Sequence, residues 1–289
     1  MSSCFTTVRG AHGLDLNVRR WNLSAPRVLL LHGFGDGSFV WEPFARQLAH
    51  KLPAAAPDLR GHGDSAWDPA RRYTMNAHLA DAEQVIAALQ PAELIIIGHS
   101  LGAEIAIRLA AAHPARMRAL VIVDGGPDLK AEAIRYLYQQ FAAQPWHYSS
   151  VQAFTESLAL RLPLADRSIL EEFAANALRA GATEGRDLKC DPALTTELQS
   201  ADSSDLWDAL RAIECPTLLV RGAASAILPD ASAIRISQSL RNCRLVRIPV
   251  AGHAVMLDNP AAFFTAVQPF LLKVTGRDRE TAHECDGTL

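Results

Sequence analysis

The chemistry of this chain begins at a serine set between glycines. In Gly98-His99-Ser100-Leu101-Gly102 the pattern Gly-x-Ser-x-Gly directly follows an apolar run, Leu94-Ile95-Ile96-Ile97, and directly precedes an Ala-rich helical pattern over 101–113. A strand-to-helix turn this tight leaves no room for large side chains at the flanking positions. It pushes the serine hydroxyl out of the sheet, toward a helix N-terminus that favours negative charge. Those are the needs of a nucleophile, and Ser100 is the candidate; the plainer alternative is a serine N-cap between two chance glycines. Far along the chain, Ala251-Gly252-His253-Ala254 sits between the last strand-like run and the last helical one. A histidine on a strand-end loop suits a general base, although a lone histidine is more often structural. Acyl transfer also needs two N–H donors aimed at an oxyanion. One would be the backbone of Leu101, the residue after the nucleophile. The other would come from His32-Gly33-Phe34-Gly35, most plausibly Phe34, unless that stretch is a simple glycine turn.

The elements that must position these residues read as an alternation. A hairpin is expected over 5–8 and 14–21, turning at 10–13. Short continuous apolar runs, Val28-Leu29-Leu30-Leu31, Leu94-Ile95-Ile96-Ile97, Ala119-Leu120-Val121-Ile122-Val123 and Thr217-Leu218-Leu219-Val220, fit strands buried on both faces. Weaker runs occur at 54–57 and 245–248. Helical spacing appears over 39–51, 77–89, 101–113 and 260–272, the last with Pro260 just inside its start. Strand and helix in alternation predict an α/β fold, a mostly parallel twisted sheet with helices on both faces. The alternation fails from 127 to 210, which reads as helical throughout and is rich in aromatics. We expect a helical cap there, inserted into a core of residues 1–126 and 211–273, with a polar tail at 274–289.

Bulk properties narrow the class. The 289 residues are 49% hydrophobic and 20% charged, ordinary values for a globular enzyme, and the net charge of −3 gives no electrostatic case for nucleic acid or an anionic membrane. No apolar stretch approaches a membrane span, and the N-terminus lacks a signal-peptide layout. The five cysteines are odd in number, widely spaced and without a C-x-x-C pair. That argues against disulfides and zinc, and favours a cytoplasmic setting.

Taken together, His32-Gly33-Phe34-Gly35, Asp58-Leu59-Arg60-Gly61-His62-Gly63-Asp64-Ser65, Gly98-His99-Ser100-Leu101-Gly102 and Gly252-His253 resemble, in kind and order, the motifs of α/β-hydrolase-fold enzymes with a helical cap. The resemblance spans roughly 5–273. It implies a Ser–His–acid triad, a backbone oxyanion hole and a substrate cleft between core and cap. His62 and Asp64 fall in a stretch that the resemblance makes structural. Members usually take their acid from the loop after the seventh strand, here Arg221-Gly222-Ala223-Ala224-Ser225-Ala226-Ile227-Leu228-Pro229. Ser225 and Ala226 stand at the acid's positions and neither can bear the charge. Asp124 is the substitute: it ends the strand run next to the serine turn, and parallel strands finish at one edge. Asp230 and Asp258 are weaker contenders, expected to serve the helices that follow them.

The activity expected is hydrolysis of an ester, amide or related acyl bond in a small, partly apolar molecule, with no metal or organic cofactor. Tyr136, Tyr138, Trp146 and Tyr148 of the cap are candidates to touch substrate, and Glu104 either borders the pocket or faces solvent. Two rival readings use the same residues. One is carbon–carbon bond hydrolysis or a lyase reaction; the other is a binding protein that keeps the fold without the chemistry.

Overall fold

A computed structural model describes residues 3–22, 24–91, 93–182, 184–197 and 205–276. The hairpin forms first, from β1 (Cys4–Arg9) and β2 (Asp15–Trp21), paired antiparallel. Then come β3 (Val28–Leu31), α1 (Glu42–Leu48), β4 (Ala54–Pro57), α2 (Met75–Leu89), β5 (Leu94–His99), α3 (Leu101–Ala112) and β6 (Met117–Val123). The helix expected over 39–51 starts as a single-turn 3-10 segment, Ser38–Trp41, and becomes α-helical only at Glu42. Pro43 fits there because the first helical turn needs no N–H from it.

Between β6 and the next core strand lies the insertion: α4 (Ala131–Ala143), β7 (His147–Tyr148), α5 (Val151–Arg161), α6 (Arg167–Ala177), β8 (Leu178–Ala180), β9 (Arg186–Leu188) and α7 (Leu194–Glu197). Then α8 (Leu206–Ala212), β10 (Thr217–Gly222), α9 (Asp230–Ser239), β11 (Cys243–Ile248), α10 (Val255–Asp258) and α11 (Pro260–Thr275) complete the fold. The sheet order is β1-β2-β4-β3-β5-β6-β10-β11, parallel from β4 to β11.

Why the central runs are continuously apolar is visible in β3. Val28 and Leu30 join the core that contains Phe44 and Phe263, while Leu29 and Leu31 join the opposite core with Val85 and Ile105. With helices over both faces no strand position meets water, so the period-2 alternation disappears. At the far end Asn259 caps α11 by accepting from the Ala262 N–H at 3.1 Å, and Gly276 closes it with φ 72°.

Two expectations are corrected. The insertion is not helical throughout: β7, β9 and β8 pair antiparallel in a three-stranded sheet. Its strands are two or three residues long and expose Arg179 and Arg186, so they carry no buried apolar run to read. The boundary expected at 210 falls inside α8. That helix packs on the core, where Leu206 and Leu210 sit with Ile105 and Leu109 and Asp205 pairs with Arg108 of α3 at 2.7 Å. Of the tail expected at 274–289, residues 274–275 finish α11, and 277–289 lie outside the described residues.

Candidate active site

β5 runs between β3 and β6, so the residue that follows it emerges at the middle of the sheet edge. Ser100 is that residue, and its backbone is forced into φ 52°, ψ −116° between strand and helix. The flanking glycines are sterically required. A Cβ on Gly98 would lie 2.2 Å from the Gly102 carbonyl oxygen, and one on Gly102 would lie 2.3 Å from that of Leu31. Ser100 N–H donates to the Val123 carbonyl at 3.1 Å, which ties the turn to the end of β6.

Asp124 is the next residue after β6, fully buried and also at positive φ, 44°. Its carboxylate collects three donors. The His253 ring donates from Nδ1 to Oδ2 at 2.8 Å, the Ser225 hydroxyl donates to the same oxygen at 2.5 Å, and the Gly222 N–H donates to Oδ1 at 3.1 Å. A carboxylate can only accept, so Nδ1 of His253 carries the proton and Nε2 presents its lone pair. Ser225 in turn accepts from the Ile227 and Leu228 N–H groups, each at 3.2 Å. Two further contacts bring His253 to the serine turn: its ring centroid lies 4.7 Å from that of His99, and its carbonyl accepts from His99 Nε2 at 2.9 Å.

The loop after β3 carries the second expected donor. His32 and His62 brace it from below. His32 accepts from the Leu59 N–H through Nε2, and His62 accepts from the Gly35 N–H at 3.1 Å. Burial pushes His32 down to about 4 and His62 to about 3, so both are neutral and able to accept. The backbone N–H groups of Phe34 and Leu101 have no acceptor among the described residues. Asp58 accepts from Ser38, Asp64 and Asn17, and Arg60 makes a bidentate pair with Asp81 at 2.7 Å in full burial. The side chains of Asp58, Arg60 and His62 are thereby engaged in holding loops, while Asp64 pairs with Lys189 at 2.9 Å at the surface.

The remaining candidates divide. Tyr138 stacks edge-on against Phe34 at 4.9 Å, and burial raises its hydroxyl to about 12. Trp146 meets Phe141, which itself packs on Phe34. Tyr148 is buried against Phe154, and its hydroxyl has no hydrogen-bond partner among the described residues. Tyr136 is 62% exposed and stands apart from this group. Glu104, largely buried, pairs with Arg108 in the next turn of α3. Asp230 opens α9 and pairs with Arg247 at 2.6 Å on the surface. Asp258 does not cap the following helix as expected; it accepts from the Gly252 N–H at 2.8 Å, one residue before His253. Reasoning from the sequence missed that role, and missed Ser225 as a donor and Asp36 and His99 as neighbours of His253. His99 was hidden as a variable position inside the serine motif.

An imidazole lone pair with its tautomer fixed, a hydroxyl on a strained turn and two N–H groups without an acceptor among the described residues are the parts that acyl transfer requires. Among the described residues no group of His, Cys, Asp or Glu could hold a metal ion, and no helix is long and apolar enough to cross a membrane. The family model of the alpha/beta hydrolase fold matches residues 26–260. The chain is 30% identical over 266 residues to the 2-(acetamidomethylene)succinate hydrolase of Mesorhizobium japonicum, covering 89% of this chain and 92% of that one. It is 30% identical over 262 residues to an esterase of Mycobacterium tuberculosis, covering 89% and 86%. The crystal structure of E-2-(acetamidomethylene)succinate hydrolase superposes with a TM-score of 0.85 at 28% identity, over 93% of this chain and 99% of that one.

Proposed function

Because the chain belongs to the α/β-hydrolase-fold family, we propose that it is a serine hydrolase acting on an ester, amide or related acyl bond of a small, partly apolar molecule. The observation that carries this reading is the 2.8 Å bond from His253 Nδ1 to the buried Asp124. It fixes the tautomer in which the other ring nitrogen can accept a proton. The hydrolase and esterase relatives support the reaction class. Phe34, Tyr138 and Phe141 supply the apolar surroundings.

In this mechanism the Ser100 hydroxyl attacks the substrate carbonyl while its proton passes to His253 Nε2. The new oxyanion is held by the Leu101 and Phe34 N–H groups. Collapse breaks the bond to the leaving alkoxide or amine, which takes the proton from His253 and departs, leaving an acyl-Ser100 ester. Water then attacks that ester by the same route and restores the hydroxyl. Asp124 accepts the Nδ1 hydrogen bond throughout and stabilises the imidazolium. The four described cysteines are unpaired, in keeping with a cytoplasmic setting for this chemistry.

A fluorophosphonate probe tests the reading. It should label Ser100 in the native protein, and Ser100→Ala should abolish labelling and cost at least about a thousandfold in turnover of p-nitrophenyl esters with the fold retained. Labelling elsewhere, or near-normal turnover in the variant, overturns it.

A further inference from the structure

Two polar groups beside His253 are left over by the triad. His99, the last residue of β5, is buried, and its Nε2 lies 2.9 Å from the His253 carbonyl oxygen. A carbonyl only accepts, so Nε2 carries the proton and Nδ1 is a bare lone pair. That lone pair has no hydrogen-bond partner among the described residues. What faces it is Asp36 of the oxyanion loop, with Oδ2 at 3.8 Å. A carboxylate there would oppose the lone pair, whereas a carboxylic acid would turn an O–H dipole toward it across a gap longer than a hydrogen bond.

We propose that Asp36 and His99 are a positioning pair for the base: Asp36, as a neutral acid, directs its proton at His99 Nδ1 and so keeps on Nε2 the proton that holds the His253 main chain. The proposal rests on the reading of His253 as the base. Several groups face Asp36. His253 and Arg161 from the end of α5 favour its charged form, as does the Gly33 N–H, while Cys190 lies close enough for Asp36 to help raise its thiol. Burial outweighs the first three and lifts Asp36 to about 7. His99 is driven far down by burial and by the neighbouring His253 and His32, so it remains neutral and holds one proton. When Asp36 releases its proton to solvent, the favoured place for the single His99 proton becomes Nδ1, toward the new carboxylate. Nε2 then turns a lone pair on the His253 carbonyl, and the hold on the base is lost.

The rate of fluorophosphonate labelling of Ser100, followed from pH 6 to pH 9 on the full chain, tests this. Asp36→Asn donates to Nδ1 at every pH, and His99→Gln offers its amide to the carbonyl without a tautomer to lose. For each, the ratio of variant rate to wild-type rate should rise at least about fivefold between pH 6 and pH 9. His99→Leu should lower the rate about tenfold at pH 6 and much less at pH 9, where the wild-type hold is already lost. In the wild-type protein, ¹⁵N imidazole spectra should show the His99 proton on Nε2 at pH 6 and on Nδ1 at pH 9, a readout that needs no variant. Flat rate ratios, or one unchanged tautomer across that range, overturn the proposal. His253→Ala separates the two readings. If it retains labelling, both fall; if it loses labelling while the Asp36→Asn ratio stays flat, only the positioning pair does.

Discussion

The Ser225 hydroxyl and the Asp124 carboxylate meet at 2.5 Å, each from the loop beyond a different strand. Ser225 stands at the position where the resemblance places an acid, and here it donates to Asp124, the acid proposed above.

Asp124→Asn should cost on the order of ten-thousandfold in kcat, because an amide facing His253 Nδ1 permits the wrong tautomer. Asp258→Asn should be mild, since the new side-chain oxygen still accepts from Gly252 N–H. Asp230→Asn touches only a surface pair with Arg247 and should change turnover less than twofold, by about the worth of an exposed ion pair. Steady-state kinetics on one ester ranks the three. A mild Asp124 variant would remove Asp124 from the mechanism.

Exchanging the two partners asks whether the charge can return to the other strand end. Asp124→Ser alone should be nearly inactive, and adding Ser225→Asp should recover at least about tenfold, a coupling expected only of residues in contact. Ser225→Asp alone would crowd two carboxylates into one buried place and should be destabilising near neutral pH. Failure of the double variant to exceed Asp124→Ser would show that a carboxylate at 225 cannot reach His253.

The cap aromatics give a selectivity test with its own control. Tyr138→Ala and Trp146→Ala should reorder rates across a series of ester chain lengths by about tenfold or more. Tyr136→Ala should leave the order intact, because that ring faces water. Equal losses of melting temperature with unchanged selectivity would mark Tyr138 and Trp146 as packing alone.

Stability should fall on acidification below about pH 6.5. His32 and His62 bind protons near 4 and 3 when folded but near 6.5 when unfolded. Their contribution is complete above 6.5 and is lost as pH falls toward 4, by about 2 kcal/mol per histidine at pH 5. His78 and His99 act in the same direction. Asp36, raised to about 7, acts in the opposite one, but it is a single group. Urea midpoints at pH 7.5, 6 and 5 measure the slope, and His62→Gln should flatten it by about one proton. A midpoint independent of pH over that range would contradict the burial of these rings.

The sequence was most readable where the backbone permits few residues. Gly98 and Gly102 announce the turn because no Cβ fits, and β3 and β5 announce burial on two faces. Asp124 could be reached by elimination, since strand ends converge. The three short strands of the insertion left no period to detect. Tyr136 and Tyr138 are two positions apart on a helix, about 200° around its axis, so they could not both face the site; the aromatic composition concealed that. Asp258 and Asp36 were opaque because their partners, Gly252 N–H and His99, depend on how two loops pass each other, which local pattern does not encode.

The positive φ values of Ser100 and Asp124 bear on how this protein can be improved. Each places a non-glycine residue in a conformation that costs on the order of 1–3 kcal/mol, at the two positions proposed above as nucleophile and acid. Glycine in place of Ser100 would relax the backbone and remove the proposed nucleophile, whereas glycine in place of Asp124 would also leave the Gly222, Ser225 and His253 donors without their buried acceptor. Selection for thermal tolerance alone can therefore discard the proposed nucleophile, so a directed-evolution campaign on this scaffold has to score turnover in every round.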